Sequence, residues 1–295
     1  MRIKFWGVRG SIASPGPRTV RYGGNTTCIE VRTDDNTLIV LDGGTGIFQL
    51  SQTLFKEMPL TSHVFITHTH WDHIQGLPFF IPIFVPGNRV RIHGPYDIVS
   101  GSGIEQVMNV QLQYSYFPVR EAELKAGIEY ETLTVGEPVT VGDASVTSVM
   151  LNHPVVDLGY RIDCNGKSMF FTGDHEPWYN IYEPSDAEYA EYQRMVDDKH
   201  AALIEAIRGV DVLIADSSYT AVEYPSKRGW GHGTFDSTIA LGRAAGARKV
   251  VCTHHEPTRF DDDLERVFAE AVARNEIGPG DPEVLLAREG MEIVL

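Results

Sequence analysis

Residues 67–73 read Thr-His-Thr-His-Trp-Asp-His, which places three imidazoles and one carboxylate, on His68, His70, His73 and Asp72, within six positions. Neutral imidazole nitrogen and carboxylate oxygen are ligands for a borderline divalent cation such as zinc. In an extended segment alternate residues point the same way, so His68 and His70 can converge on one ion. Asp72 and His73 follow a tight turn and can face a second. A solvated His-rich surface loop would carry the same residue types. The preceding run His63-Val64-Phe65-Ile66, however, reads as a buried strand feeding a loop.

Two ions need roughly seven or eight protein donors plus water. Candidates follow three further apolar, strand-like runs, the places where a rigid sheet presents chemistry. Residues 146–151 deliver His153, residues 167–171 lead into Thr172-Gly173-Asp174, and residues 249–252 lead into Thr253-His254-His255. A fourth run, 38–41, ends in Asp42-Gly43-Gly44-Thr45-Gly46. A carboxylate there can accept the far N–H of a ligand histidine and fix its tautomer, although Asp-Gly is also an ordinary turn.

The order His-x-His-x-Asp-His, a lone His, Gly-Asp and a late His resembles the metallo-β-lactamase superfamily over nearly the whole chain. The resemblance implies an α/β fold, a four-layer αββα sandwich of two mixed β-sheets flanked by helices. It also implies that His68, His70 and His153 hold one metal, that Asp72, His73 and His254 hold the other, and that Asp174 bridges them. His255 competes with His254, but the family's ligand directly follows the strand and its Thr, which favours His254. The expected cofactor is a pair of divalent ions, Zn2+ first, with Mn2+ or Fe2+ compatible with the same ligands.

One scaffold hosts many reactions, so the substrate must be read elsewhere. No Cys lies near Asp72 or Asp174, which argues against β-lactam hydrolysis. His70 stands where the di-iron oxygen-reducing branch has Glu, and no flavodoxin-like segment follows. Trp230-Gly231-His232-Gly233-Thr234 resembles the Gly-His-Ser-Thr element of the phosphodiesterase branch, which includes ribonuclease Z and cyclic-phosphodiester hydrolases; Gly233 replaces the usual Ser. The run ending in Asp216 resembles that branch's strand with a terminal acid. By that resemblance His232 contacts the scissile phosphate or protonates the leaving oxygen, and Asp216 orients it. A lone His in a Gly-rich loop is otherwise simply exposed. Ions about 3.5–4 Å apart activate a bridging water, with Asp72 completing the catalytic set. The expectation is binuclear metal-dependent hydrolysis of a small phosphodiester, a cyclic nucleotide or cyclic ribose phosphate, by the bridging hydroxide.

Three other readings compete. A tRNA 3′-end endonuclease belongs to the same branch, but 25 basic residues are scattered among 40 acidic ones for a net charge of −15. Polyanionic RNA is repelled unless a basic patch offsets that charge, so large nucleic acid is disfavoured as a partner. Carboxylic ester, thioester or lactone hydrolysis would make His232 incidental. A metal-stabilised sensor fits poorly, because structural zinc sites close around one ion.

At 295 residues and 42% hydrophobic content the chain can bury one sizeable core. A single domain over 1–295 is expected, with a lid or dimer insertion around 101–131; a homodimer is expected only by analogy. No apolar run approaches the ~18 residues of a membrane span, and no secretory leader is evident. Cys28, Cys164 and Cys252 read as reduced thiols, so a cytoplasmic location and no membrane partner are expected. Helices are predicted over 186–208 and 262–274. The second opens on a capping-box pattern at Asp262 and Glu265 and lines Leu264, Val267, Phe268, Ala271 and Val272 along one face. Arg18 and Arg21 are candidates for touching phosphate, and Trp178 and Tyr179 for stacking on a base or ribose. His175 and Glu176 take no role from sequence.

Overall fold

Four consecutive apolar residues, Leu38, Ile39, Val40 and Leu41, form one strand buried on both faces. Successive strand side chains point to opposite faces; here Ile39 and Leu41 enter one apolar layer, and Leu38 and Val40 enter another. The division recurs with Val212 and Ile214 against Leu213 and Ala215. A chain written this way sandwiches each sheet between two apolar layers. The computed structural model, which describes residues 1–295, has that form.

The first sheet takes β1 (Arg2–Gly7), β2 (Cys28–Arg32), β3 (Leu38–Leu41), β4 (Thr61–Phe65), β5 (Arg89–Gly94) and β6 (Gly127–Thr132) in chain order. The second takes β7 (Pro138–Val141), β8 (Ala144–Met150), β9 (Leu158–Cys164), β10 (Lys167–Phe171), β11 (Val212–Asp216), β12 (Lys249–Thr253) and β13 (Glu283–Leu286). The last strand, β14 (Glu292–Val294), returns to pair antiparallel with β1. Both sheets are mixed. Strands β1 to β3 pair antiparallel and β3 to β6 parallel, while β7 to β10 pair antiparallel and β10 to β13 parallel.

Helices cover the outer faces: α1 (Gly46–Thr53), α2 (Trp71–Ile74), α3 (Ile104–Gln111), α4 (Tyr189–Ala206), α5 (Phe235–Ala245) and α6 (Asp261–Arg274). Ile47 and Leu50 of α1 and Ile104 and Met108 of α3 pack on the first sheet. Leu203 of α4, Phe235 of α5, and Leu264 and Val267 of α6 pack on the second. Phe65, Tyr160, Met169 and Phe171 fill the layer between the sheets. The expected αββα sandwich is this arrangement. The three free cysteines are buried, one in each apolar layer. No helix is long and apolar enough to cross a membrane.

The capping box expected at Asp262 and Glu265 does not form. Helix α6 starts one residue earlier, its N-cap is Phe260 without a side-chain cap, and Asp261, Asp262 and Asp263 fall in its first turn. Carboxylates there favour the positive end of the helix dipole instead. A reciprocal cap forms at α5, where Ser237 N donates to Thr234 Oγ1 at 3.0 Å and Thr234 N to Ser237 Oγ at 2.9 Å. Within 101–131, α3 is packed into the core and residues from 127 onward belong to β6; Tyr114 and Tyr116 remain exposed.

The buried Tyr160 hydroxyl donates to the Ile66 carbonyl, tying β9 to the end of β4. Tyr160→Phe leaves that carbonyl unpaired and should destabilise the fold by about 1–3 kcal/mol. Urea unfolding checks this, with the midpoint falling and the slope unchanged.

Candidate metal centre

Strand ends from both sheets converge at one rim. After β4 comes the loop bearing His68 and His70, then the single-turn helix α2 bearing Asp72 and His73. The chain reaches His153 after β8, Asp174 after β10 and His254 after β12, while Asp216 closes β11.

Asp174 stands between two donor sets. Its Oδ2 lies 3.6 Å from His68 Nε2 and 3.9 Å from His153 Nε2, and His153 Nε2 is 3.0 Å from His70 Nδ1. Its Oδ1 lies 3.1 Å from His73 Nε2 and 3.0 Å from His254 Nε2. Asp72 Oδ2 is 3.4 Å and 3.3 Å from the same two nitrogens, and Ser11 N donates to it at 2.7 Å. The ligating atoms of His68, His70, His153 and Asp174 lie within 4.8 Å of one another, as do those of Asp72, His73, Asp174 and His254. The structure thus brings together all seven residues expected to ligate. His255 turns away, its Nε2 2.8 Å from the Ala287 carbonyl.

These residues fit a pair of divalent cations. His68 Nε2, His73 Nε2 and Asp174 Oδ1 are buried without hydrogen bonds, although they lie close together. Buried polar atoms are almost always paired, so three orphans in one cluster aim at shared points between them. Burial holds His68, His70 and His153 below the usual histidine range, which leaves them in the neutral, ligating form. Burial also disfavours charge on His73 and His254, but the nearby carboxylates together, Asp174 foremost, outweigh it and raise both. A cation binding there displaces those protons.

Each histidine that presents Nε2 has its Nδ1 occupied. Thr67 Oγ1 is 3.1 Å from His68 Nδ1, with Asp157 Oδ1 close by at 2.9 Å but outside hydrogen-bond geometry, and Asp42 Oδ2 is 2.7 Å from His73 Nδ1. The Gly231 carbonyl is 2.9 Å from His153 Nδ1, and Ser218 Oγ is 2.9 Å from His254 Nδ1. Such partners fix tautomer and ring orientation. Thr67 N and Oγ1 both donate to Asp42, at 2.8 Å and 3.1 Å. Two site residues hold left-handed backbone, Asp42 at φ 62° and His254 at φ 58°, a strain that packing must hold in place. A Cβ at Gly10 would fall 2.2 Å from the His254 ring, so only glycine fits.

His232 Nδ1 lies 2.8 Å from Asp216 Oδ2, and its ring stacks on His254 with centroids 4.9 Å apart. Burial alone would lower its pKa, but Asp216 and Asp174 lift it to about 9. Ser218 Oγ donates to the other Asp216 oxygen at 2.7 Å, which links His232 to His254. Glu176, 2% exposed, clamps the loop carrying His232. Its Oε1 accepts from Gly229 N at 2.9 Å and the Tyr224 hydroxyl at 2.7 Å, and its Oε2 accepts from Gly231 N at 2.9 Å. His175 N donates to Asp216 Oδ2 at 3.2 Å.

Asp157, Ser218 and Glu176 were invisible to motif reasoning; the one usable signal is that Glu176 shares the strand end of Asp174. Arg18 stacks on Phe260 at 3.5 Å and Arg21 pairs with Asp262, so both serve the start of α6. Trp178 packs against His175 and His200, and Tyr179 lies under the Arg228 guanidinium.

The family profile described as "Beta-lactamase superfamily domain" matches residues 37–255. A ribonuclease Z of Haloarcula marismortui is 25% identical over 331 residues, spanning 99% of this chain and 96% of that protein. The metallo-beta-lactamase fold protein YhfI from Bacillus subtilis superposes with a TM-score of 0.67 at 20% identity, covering 99% of both chains. A diphosphatase from the PhnP family superposes with a TM-score of 0.65 at 18% identity, covering 100% of this chain and 97% of its own.

Asp42→Asn, at the carboxylate that holds His73 Nδ1, should weaken cation affinity about 10–100-fold, measured by competition with a chromophoric chelator. Glu176→Ala removes three hydrogen bonds to a charged acceptor. Amide exchange at Gly229 and Gly231 should then accelerate by roughly tenfold or more.

Proposed function

The chain belongs to the beta-lactamase superfamily, and on that premise we propose that it is a metal-dependent hydrolase that cleaves a small phosphodiester with two divalent cations, zinc first. The observation that carries this reading is the His232–Asp216 pair set against the second donor set. When bound, the cations supply Lewis acidity toward water and a phosphoryl oxygen. Asp216 occupies His232 Nδ1, leaving Nε2–H to face a leaving oxygen. With Nδ1 held by Asp216, a protonated His232 is placed to serve as a general acid. Glu176 and Gly231 hold that acid and His153 in a fixed relation. Three buried free thiols support a reducing, cytoplasmic setting.

A ribonuclease Z-like action on tRNA 3′ ends is the second reading, favoured by the Haloarcula relative. The net charge of −15 works against a polyanionic partner and supports the small substrate.

His232→Ala tests the acid. Hydrolysis of a 2′,3′-cyclic nucleotide, whose leaving alkoxide needs a proton, should fall about 10²–10⁴-fold with cation content intact. Loss on bis-p-nitrophenyl phosphate, whose phenolate leaves unaided, should be far smaller. In the wild type, the cyclic-nucleotide rate should decline as pH rises through the His232 pKa. Equal losses on both substrates contradict the role. Efficient precursor-tRNA cleavage without turnover of either diester selects the second reading.

A further inference from the structure

A cavity of about 290 Å³ opens beside the second donor set, with His232 and His254 in one wall. Resting on the phosphodiesterase reading, we infer that this cavity is the leaving-group subsite and that it takes an uncharged, hydroxyl-bearing group, a nucleoside or sugar, while discriminating against a second phosphate.

The location follows from His232. An oxygen that receives its proton must sit against His232, so the substituent on that oxygen extends into the cavity that His232 lines. The size lies at the lower end of small-molecule pockets, about 300–1,000 Å³, which suits one compact group rather than a polymer.

The chemistry of the remaining lining sets the class. Glu223 and Glu256 belong to it, and every hydrogen bond to their carboxylates falls on Oε2. Glu223 is held by Thr220 and Arg259, and Glu256 by Thr258. Each Oε1 remains for a donor from the cavity. Ionised carboxylates only accept, and phosphate oxygens at neutral pH chiefly accept as well; Glu223 is paired with Arg259, but Glu256 has no ion pair, so a second phosphate would meet an uncompensated acceptor of its own sign there. Sugar hydroxyls and base N–H groups donate, and they match. Lys227 is the one lysine or arginine in the lining, with its ammonium 4.1 Å over the Trp230 ring. Trp230 is 57% exposed at the edge of the cavity, a placement that offers an aromatic face to a sugar or base.

The test uses cation-loaded protein with UpU, its phosphorylated forms pUpU and UpUp, and bis-p-nitrophenyl phosphate as the general diester probe. Product analysis identifies which nucleoside leaves. UpU should be hydrolysed, and the form carrying its second phosphate on the leaving nucleoside should be at least about tenfold poorer in kcat/KM. Glu256→Gln should narrow that gap severalfold. Trp230→Ala should raise KM for UpU about tenfold with kcat little changed, in line with the loss of one stacking contact. Equal kcat/KM for all three dinucleotides, or both variants behaving as wild type, overturns the subsite while turnover of bis-p-nitrophenyl phosphate keeps the phosphodiesterase reading standing. No turnover of bis-p-nitrophenyl phosphate or UpU by the wild type overturns both.

Discussion

Asp174 is 1% exposed, with one oxygen toward His68 and His153 and the other toward His73 and His254. Asp72 is buried beside it, and Asp42 and Asp157 lie buried behind the histidines. Isolated buried carboxylates carry a desolvation penalty of several kcal/mol each unless positive charge and hydrogen bonds compensate. The neighbouring histidines supply part of that compensation, and divalent cations held by the two donor sets would supply it more completely. The concentration of acid at one point is therefore what makes the rim a metal centre, and the fold is arranged to deliver it.

Delivery depends on the sheets. Layers of apolar side chains on both faces of β4, β8, β10 and β12 fix where each strand ends, and the ligands sit within a few residues of those ends. Because the ligands come from both sheets, the packing between them sets the distance across Asp174. Residues behind the ligands then fix orientation: Thr67, Asp42, Gly231 and Ser218 each take one imidazole nitrogen. Glu176 extends this order to the His232 loop, so the acid and the cation ligand His153 share one buried anchor.

The metal ligands were legible because cation chemistry restricts residue type and strand ends restrict position; both constraints leave a mark in the linear chain. Asp42 was legible for the same reason, as an acid closing an apolar run. Asp157 was not, since an aspartate before a strand reads like any turn, and only folding brings it to His68. Beyond sharing the strand end of Asp174, Glu176 gives no sign of its role, because its partners, Tyr224, Gly229 and Gly231, lie 48 to 55 residues away in the chain. The start of α6 misled for a related reason. Asp262 and Glu265 satisfy a local capping rule, but Asp261, drawn toward Arg9 and the Arg21 backbone, begins the helix one residue sooner.

Anomalous diffraction at the zinc edge, from crystals of the protein grown with Zn2+, addresses the centre directly. Two peaks should flank Asp174, one among His68, His70 and His153 and the other among Asp72, His73 and His254. A single peak, or none between those side chains, would contradict the two-cation centre and the chemistry built on it.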